Sequence, residues 1–303
     1  MKKAGFFRRD LLSLLEWVAP RIPIPDKLYL KLKYFCRMGK VLHLRNPRTY
    51  CEKIQWLKLY GRDEDTYKLV DKYLVKDIVA SKIGKEYIIP TIGVWDRPED
   101  IDFESLPDKF VLKCNHNSGL GMYICKDKTK MNKAEVLHNL GLGMKEDFYI
   151  PSRDLCYKGI KHRIIAEQYM EDEKTMELRD YKFFCFHGDP KLLFIASGRS
   201  KGEHSVTFDF FDKDYKHLPF TNGHPNAAIE PEKPQCFEEM KRLAAILSEG
   251  YPHVRVDFYE VNGHVFFGEL TFSHWGGMMP FEPEEWDYTL GSWIELPEKK
   301  QKK

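Results

Sequence analysis

The sequence predicts an α+β fold, a helical N-terminal region followed by two α+β lobes rich in strands, and three observations carry that reading. Apolar residues recur at helical spacing through roughly the first sixty positions and again up to Gly84. From residue 108 the pattern turns to strand, glycine loop, strand in KFVLKCNHNSGLGMYICKD. Near the C-terminus VRVDFYEVNGHVFFGELTF, residues 254–272, reads as two apolar strands joined at Asn262-Gly263.

Composition sets outer bounds. The 303 residues are 43% hydrophobic and 31% charged, which is ample for a folded core. Lys plus Arg (48) nearly balances Asp plus Glu (46), so there is no global electrostatic reason to expect nucleic acid. Seven scattered cysteines without a C-x-x-C pair speak against a disulfide framework or a zinc knuckle and fit a reducing cytoplasm. No apolar run approaches the ~20 residues needed to cross a bilayer.

The first segment, MKKAGFFRRDLLSLLEWVAPRIPIP, superficially imitates a secretion signal, but Asp10 and Glu16 interrupt its apolar stretch and no small-residue cleavage site follows. What is left is a short amphipathic helix carrying Phe6, Phe7, Leu11, Leu14, Leu15 and Val18, with Lys2, Lys3, Arg8 and Arg9 near its start. Such a helix either docks on the protein's own core or lies on an anionic membrane at its cytoplasmic face. DKLYLKLKYFCRMGKVL continues the helical spacing, Asn46-Pro47 makes a turn, and Thr49 with Glu52 forms a capping box for TYCEKIQWLKLYGRD. DTYKLVDKYLVKDIVASKIG is a further helix, and IIPTIGVW a short strand.

Residues 1–60 are therefore read as the helical N-terminal region and 61–107 as an α/β segment leading into the first lobe. That lobe, 108–190, holds the glycine loop, a polar helix (NKAEVLHNLGLGMKEDFY) and strands at RIIAEQYM and DYKFFCFHGDPKLLFIASG. The second lobe, 191–297, opens on a loop-rich stretch (200–235), continues with the helix FEEMKRLAAILSEG and ends in the hairpin; the tail at 298–303 reads as frayed.

Asp257 and Glu269 interrupt apolar strands, where a carboxylate is costly to bury unless a cation pairs with it. A two-residue turn at Asn262-Gly263 sets Asp257 against Gly268 and points Glu269 to the other face. A three-residue turn through Val261 and Asn262, with Gly263 left-handed as a G1 bulge, shifts the parity by one. Arg255, Asp257, Glu269 and Thr271 then share one face and Val254, Val256, Phe258, Phe266, Leu270 and Phe272 the other, the cleaner separation and the one expected. On that face the acids form either an ion-pair cluster with the arginine or a site for a hard divalent cation such as Mg²⁺.

Three further segments are ambiguous taken singly. Lys113 before the loop Asn115–Gly121 is either a strand-end lysine beside an ordinary turn or a phosphate cradle of backbone N–H groups. RIIAEQYMEDE is a strand with solvated acids after it or a hinge for a purine. Lys182 among aromatics either snorkels or meets a phosphate.

Their order adds what each lacks. Together with NPRTYCEKIQWLKLY, LVDKYLVKDIVASKIGKEYIIPTIGVWD and LPDKFVLKCNHNSG, the segments from about residue 45 to 297 resemble the teichuronopeptide-biosynthesis (TupA-like) ATP-grasp family, met in bacterial surface-polysaccharide gene clusters. The resemblance implies an ATP-grasp fold whose two lobes close on ATP and Mg²⁺. It implies that Lys113 and Arg255 act on the reacting phosphates, with Lys182, Asn115, Ser118, Gly119 and Gly121 around them. Glu167 with the backbone of Gln168, Tyr169 and Met170 would hold adenine, and one of Glu171, Glu173 and Glu177 the ribose. Asp257 and Glu269 would carry the metal, with Thr271 in place of the asparagine usual in the superfamily.

The implied activity is an ATP-dependent carboxylate–amine ligase that joins an amino acid or amino sugar to a uronic-acid or polysaccharide acceptor, with ADP and phosphate released. His116, Ser273 and His274 lie in loops able to touch that acceptor, and SHWGGMMPF is glycine-rich enough to cradle it. A glycosyltransferase is the competing reading. Its usual D-x-D metal run does not occur in a convincing acceptor loop: Asp63-Glu64-Asp65 and Asp212-Lys213-Asp214 are flanked by charge and read as turns. A non-catalytic polysaccharide-binding or assembly protein on the same fold is the third reading.

Overall fold

The computed structural model describes residues 2–174, 178–198 and 206–299. In chain order it contains α1 (Lys2–Val18), α2 (Asp26–Met38), α3 (Tyr50–Tyr60), α4 (Tyr67–Val70), α5 (Leu74–Ile83), β1 (Thr91–Trp95), β2 (Phe110–Cys114), β3 (Met122–Cys125), α6 (Lys133–Lys145), α7 (Tyr149–Ser152) and β4 (Ile164–Gln168). The second half adds β5 (Asp180–Phe186), β6 (Asp189–Ser197), β7 (Thr207–Asp212), β8 (His217–Leu218), β9 (Thr221–Asn222), α8 (Phe237–Ser248), β10 (Val254–Val261), β11 (His264–Thr271), β12 (Phe281–Glu282) and α9 (Glu285–Trp293). The strands make a four-stranded sheet ordered β1-β4-β2-β3, a six-stranded sheet ordered β11-β10-β5-β6-β7-β8, and the small pair β12-β9.

This pairing moves two expected boundaries. β1 joins the first sheet, so that sheet begins inside the 61–107 segment, and β5 belongs to the larger sheet through its pairing with β10. The chain passes between sheets in the stretch after β4, not at 190. Within the expected loop-rich stretch, TFDFFD forms β7, a central strand buried at four consecutive positions. Residues 200–205 of that stretch, Glu177 and the tail from 300 lie outside the described residues.

Strand periodicity explains the large sheet's place in the molecule. Along β5, Phe184 and Phe186 pack toward the N-terminal helices with Tyr50 and Leu57, whereas Tyr181, Phe183 and Cys185 pack toward Leu243 of α8 and Val79 of α5. Both faces are covered, so every residue of β5 is buried. A third core lies between α6 and the four-stranded sheet, around Phe110, Leu112, Val136 and Leu140. The N-terminal region is thus a layer of the fold. Its α3 starts at the expected capping box, in which the Thr49 hydroxyl accepts from the Glu52 N–H at 3.2 Å while Glu52 accepts from the Thr49 N–H at 3.3 Å. Helix α1 docks through Leu15 and leaves Phe7, Leu14 and Trp17 exposed.

The hairpin corrects the expected turn, keeps the four polar residues on one face, and moves Phe266 from the expected apolar face to theirs, where it pairs with Tyr259, while Phe267 takes the apolar side. Asn262 (φ 51°) and Gly263 (φ 75°) are both left-handed, the signature of a two-residue type I′ turn, and Val261 faces His264. The extra residue sits further down, at Gly268, where Phe258 pairs with Phe267 but Asp257 pairs with Glu269. A β-bulge of this kind shifts the parity wherever it lies. Gly268 suits the place because a Cβ there would meet the Asp257 carbonyl oxygen at 3.1 Å and the Tyr259 ring at 3.1 Å. Beyond the bulge Arg255 pairs with Thr271, so the four polar side chains converge as expected.

Candidate active site

Two adjoining cavities open between the sheets. The first, of about 500 Å³, has apolar walls from Val75, Ile89, Val111, Met122, Ile124 and Phe267 and a rim formed by Glu167 and the Gln168–Glu171 segment. The second, of about 600 Å³, is lined by charged residues of the large sheet and by the loops at 117–119 and 273–276. Lys72, Lys113, Asp180 and Tyr259 border both, so an elongated ligand with an apolar head and an anionic tail has one continuous path.

The centre of the second cavity is an ion network on β5, β10 and β11. Arg255 clamps Asp257 bidentately at 2.7 and 2.7 Å, donates to Glu269 at 3.0 Å and to the Thr271 hydroxyl at 2.9 Å, and meets His274 Nδ1 at 2.6 Å. Lys182 bridges Asp180 at 3.0 Å and Asp257. Burial works against the Arg255 charge, but Asp257 and Glu269 beside it hold its pKa above the ordinary value. His274 is pushed well down by burial and by the neighbouring guanidinium, so the imidazole is neutral and accepts from Arg255.

The two acids are not equivalent. Asp257 is 1% exposed, lines neither cavity and is saturated by Arg255 and Lys182. Glu269 reaches the second cavity with its side chain 44% exposed; burial opposes its charge, yet Lys182, Arg255 and Lys72 draw its pKa down to about 2. Among the described residues no group of three His, Cys, Asp or Glu side chains converges as a metal cage. The expected set of Asp257, Glu269 and Thr271 holds two carboxylates and a hydroxyl, and all three meet at the Arg255 guanidinium. The donors fit a hard cation at Glu269 that keeps water and phosphate oxygens, whereas Asp257 could join only by giving up a cation it now holds.

On the opposite wall Lys113 pairs with Glu167 at 2.5 Å, and Lys76 pairs with the same carboxylate at 2.6 Å. Burial would raise the Glu167 pKa, but the two ammonium groups lower it below the ordinary carboxylate range. Glu167 is therefore first a counter-ion for two lysines at the cavity rim. The Gln168 N–H is spent on the Pro90 carbonyl at 3.0 Å, while Gln168, Tyr169 and Met170 do line the first cavity. Glu171 lines it too, bonded to Tyr169 at 2.8 Å and paired with Lys126 at 3.3 Å; the Glu173 N–H donates to Asn262 Oδ1 in the hairpin turn.

The glycine loop divides into a facing part and a structural part. Ser118 and Gly119 line the second cavity, and Gly119 has nothing within 4 Å of a would-be Cβ. Asn115 is a correction: it is fully buried, donates to Asp71 at 2.8 Å and to the Lys161 carbonyl at 3.0 Å, and accepts from the Arg163 N–H at 2.7 Å. Gly121 packs on α6, where a Cβ would meet Gly143 Cα at 3.0 Å. His116 likewise turns inward, its ring stacked on His162 at 3.5 Å between centroids, and lines neither cavity.

Several cavity residues carry no sequence signal of their own. Lys72 and Lys76, one turn apart, look like a solvated helix face, yet Lys72 borders both cavities and donates to the Asn117 carbonyl. Lys58 and Arg62 sit among the aromatics and lysines that follow α3's start, but both are buried. Arg62 pairs with Asp154 at 3.2 Å and donates to the Phe272 carbonyl at 3.0 Å; Ser273 donates to Asp154 at 2.5 Å. The Asp212-Lys213-Asp214 run is spent on a turn, with Asp212 accepting from the N–H groups of Asp214 and Lys216.

No curated protein matches the chain. Among solved structures, D-alanine-D-alanine ligase from Helicobacter pylori is 15% identical with a TM-score of 0.39, covering 73% of this chain and 60% of that one. The Bacillus anthracis D-alanine–D-alanine ligase complexed with ATP is 15% identical with a TM-score of 0.38, covering 67% and 53%. The ATP-grasp ligase PsnB, complexed with minimal precursor, Mg and ADP, is 9% identical with a TM-score of 0.41, covering 74% and 58%. The chain thus spans between about half and three-fifths of these proteins' lengths. The family described as TupA-like ATPgrasp matches residues 52–295, a span that holds both cavities, and the chain belongs to that family.

Proposed function

We propose that the protein is an ATP- and Mg²⁺-dependent ligase that activates a substrate carboxylate as an acyl phosphate for attack by an amine in the assembly of an acidic surface polysaccharide. One observation carries this reading: Lys72 and Lys113 border both an apolar pocket and a charged one, and Lys182, Arg255 and a half-exposed Glu269 line the charged one. The first cavity suits a purine and the junction suits phosphates. The open part of the second cavity is left for the acceptor.

In this reading Lys113 and Lys72 anchor the phosphates from the small-sheet side, and Arg255 and Lys182 face them from the large sheet. Mg²⁺ held by Glu269 would supply charge stabilisation at the transferring oxygens. Phosphoryl transfer needs cations in place at those oxygens more than it needs an acid or base, and these four side chains are fixed there by hydrogen bonds. Helix α1, basic with Phe7, Leu14 and Trp17 exposed, supports a companion reading of contact with the anionic cytoplasmic face of a membrane.

The test is to incubate the protein with Mg-ATP, a uronic-acid acceptor and an amino-acid pool and to follow ADP release and acceptor mass. ADP formation that needs both substrates, with an acceptor heavier by one amide-linked residue, supports ligation. Turnover only with a nucleotide sugar sinks the ligase reading and favours glycosyl transfer.

A further inference from the structure

A guanidinium carries five N–H groups, and the ion network accounts for all but one of those on Arg255. Its Nε donates to Asp257 Oδ1 at 2.7 Å. One Nη2 hydrogen meets Asp257 Oδ2 at 2.7 Å, and the other is shared by Glu269 at 3.0 Å and the Thr271 hydroxyl at 2.9 Å. Nη1 spends one hydrogen on His274 Nδ1 at 2.6 Å. Among the described residues its second hydrogen has no acceptor, and Arg255 lines the second cavity. The clamp on Asp257 fixes one edge of the guanidinium, about which the plane can still pivot. The His274 contact takes the remaining corner and so sets where the unspent hydrogen points.

The imidazole in turn has no choice of tautomer. Asn222, buried on β9, donates through Nδ2 to the carbonyls of Met279 at 3.1 Å and Pro280 at 2.9 Å, so its Oδ1 is the atom turned toward His274 Nε2, at 3.0 Å. An oxygen facing Nε2 calls for a hydrogen there, and a neutral ring then presents a bare lone pair at Nδ1 to Arg255. The reverse tautomer would set lone pair against lone pair at Asn222 and hydrogen against hydrogen at the guanidinium. Phe184 and Phe194 hold the ring in place at 4.9 and 5.3 Å between centroids. Burial, with the charges of Arg255 and Lys182 close by, keeps it neutral.

We propose that His274 is a positioning residue for Arg255, fixed as its Nε2–H tautomer by Asn222, and that it holds the last guanidinium N–H toward the second cavity as a donor for an oxygen of the reacting phosphate. A donor aimed in advance needs no reorganisation when charge develops on that oxygen, which is where such a hydrogen bond is worth most. The expected loop contact of His274 with the acceptor is replaced by this role: the residue lines the cavity, but both ring nitrogens are spent on protein partners. Asn222 lines neither cavity and acts only through the ring. The role rests on the reading that phosphates lie beside Arg255, whereas the tautomer does not.

The test has two arms. Long-range ¹H–¹⁵N correlation spectra of histidine-labelled protein at neutral pH, with His274 assigned by its loss in His274→Gln, show Nε2 protonated and Nδ1 bare; a proton on Nδ1 overturns the proposal whatever the protein binds. Calorimetric titration with Mg-ATP reads the positioning. His274→Leu offers Arg255 no acceptor and weakens Mg-ATP about tenfold. His274→Gln, whose amide oxygen accepts from Arg255 and whose amide nitrogen donates to Asn222, recovers most of that affinity, a rescue that lost packing alone would not produce. Equal affinity in the parent and His274→Leu overturns the proposal, as does a His274→Gln variant that binds no better than His274→Leu. Should His274→Leu fail to fold, an affinity of His274→Gln tenfold or more below the parent's overturns it. A parent protein that binds no Mg-ATP overturns the nucleotide reading and this role with it, so the two failures are told apart.

Discussion

Removing the Asp257 carboxylate tests whether the ion network or the surrounding apolar core holds the large sheet together at its centre. Asp257→Ala deletes two short hydrogen bonds from Arg255 and one from Lys182, at a position 1% exposed. Breaking a buried pair from one side costs about 3–5 kcal/mol because the remaining charge is left uncompensated. Here the cations are not wholly abandoned. Arg255 keeps Glu269, Thr271 and His274, and Lys182 keeps Asp180. The expected loss is therefore at the low end, about 3 kcal/mol, or a fall of roughly 6–12 °C in thermal midpoint. Urea unfolding followed by circular dichroism measures it, and a double-mutant cycle with Lys182→Met isolates the pair, with an expected coupling of about 1–2 kcal/mol. Scanning fluorimetry with Mg-ATP gives the functional side, since Arg255 and Lys182 lose their alignment and ligand stabilisation falls. A variant whose unfolding midpoint matches the parent's would refute the argument, because it would mean that the sheet carries Arg255 and Lys182 without their common anion.

Other expectations follow from the same geometry. Lys113→Met and Lys76→Met should each weaken Mg-ATP binding, Lys113→Met the more because its ammonium borders both cavities; nucleotide titration by calorimetry decides, and equal, negligible effects would remove the phosphate role. Burial draws the Lys58 pKa from its ordinary 10.5 down to about 8, so the unfolded chain binds the extra proton between those values. This group's contribution to stability should therefore rise as pH increases from 8 to 10.5, and urea denaturation across that interval checks the sign. Thr49→Ala removes the acceptor for the Glu52 N–H at the start of α3 and should cost about 1 kcal/mol by urea denaturation, while Thr49→Ser should restore most of it.

Much of the site was legible because it is built on strands whose period is two. Arg255, Asp257, Glu269 and Thr271 could be assigned to one face from spacing alone once a one-residue parity shift was allowed. The location of that shift was not legible. Both Gly263 and Gly268 suit a bulge, and the choice rests on the Asn-Gly pair preferring a type I′ turn and on Tyr259 closing over Gly268. Lys113 and Lys182 announced themselves by interrupting apolar strands, whereas Lys58 and Lys76 lie on helices and Lys72 in the turn between α4 and α5, where a lysine is ordinarily solvated, and only tertiary packing buries Lys58 and brings the other two to a cavity wall. Asn115 misled for the converse reason, since a polar residue in a glycine loop reads as ligand-facing until the chain folds Asp71 against it. Strand β7 was masked by the prolines and glycines around it, although TFDFFD is rich in the aromatics that strands favour.

A stripe along α3 and just past its end meets the backbone that follows the hairpin: Cys51 donates to the Met279 carbonyl, Gln55 to those of Gly276 and Gly277, Lys58 to Gly276, and Arg62 to Phe272. These side chains are spaced by three or four residues, the helical repeat, so the contour of a segment some two hundred positions away is moulded against a regular row of donors. The shape of that segment is then a property of two distant pieces of chain that must change together. Transplanting the glycine-rich segment alone into a relative would set its carbonyls against the wrong row, and only exchanging both pieces at once would carry its contour over.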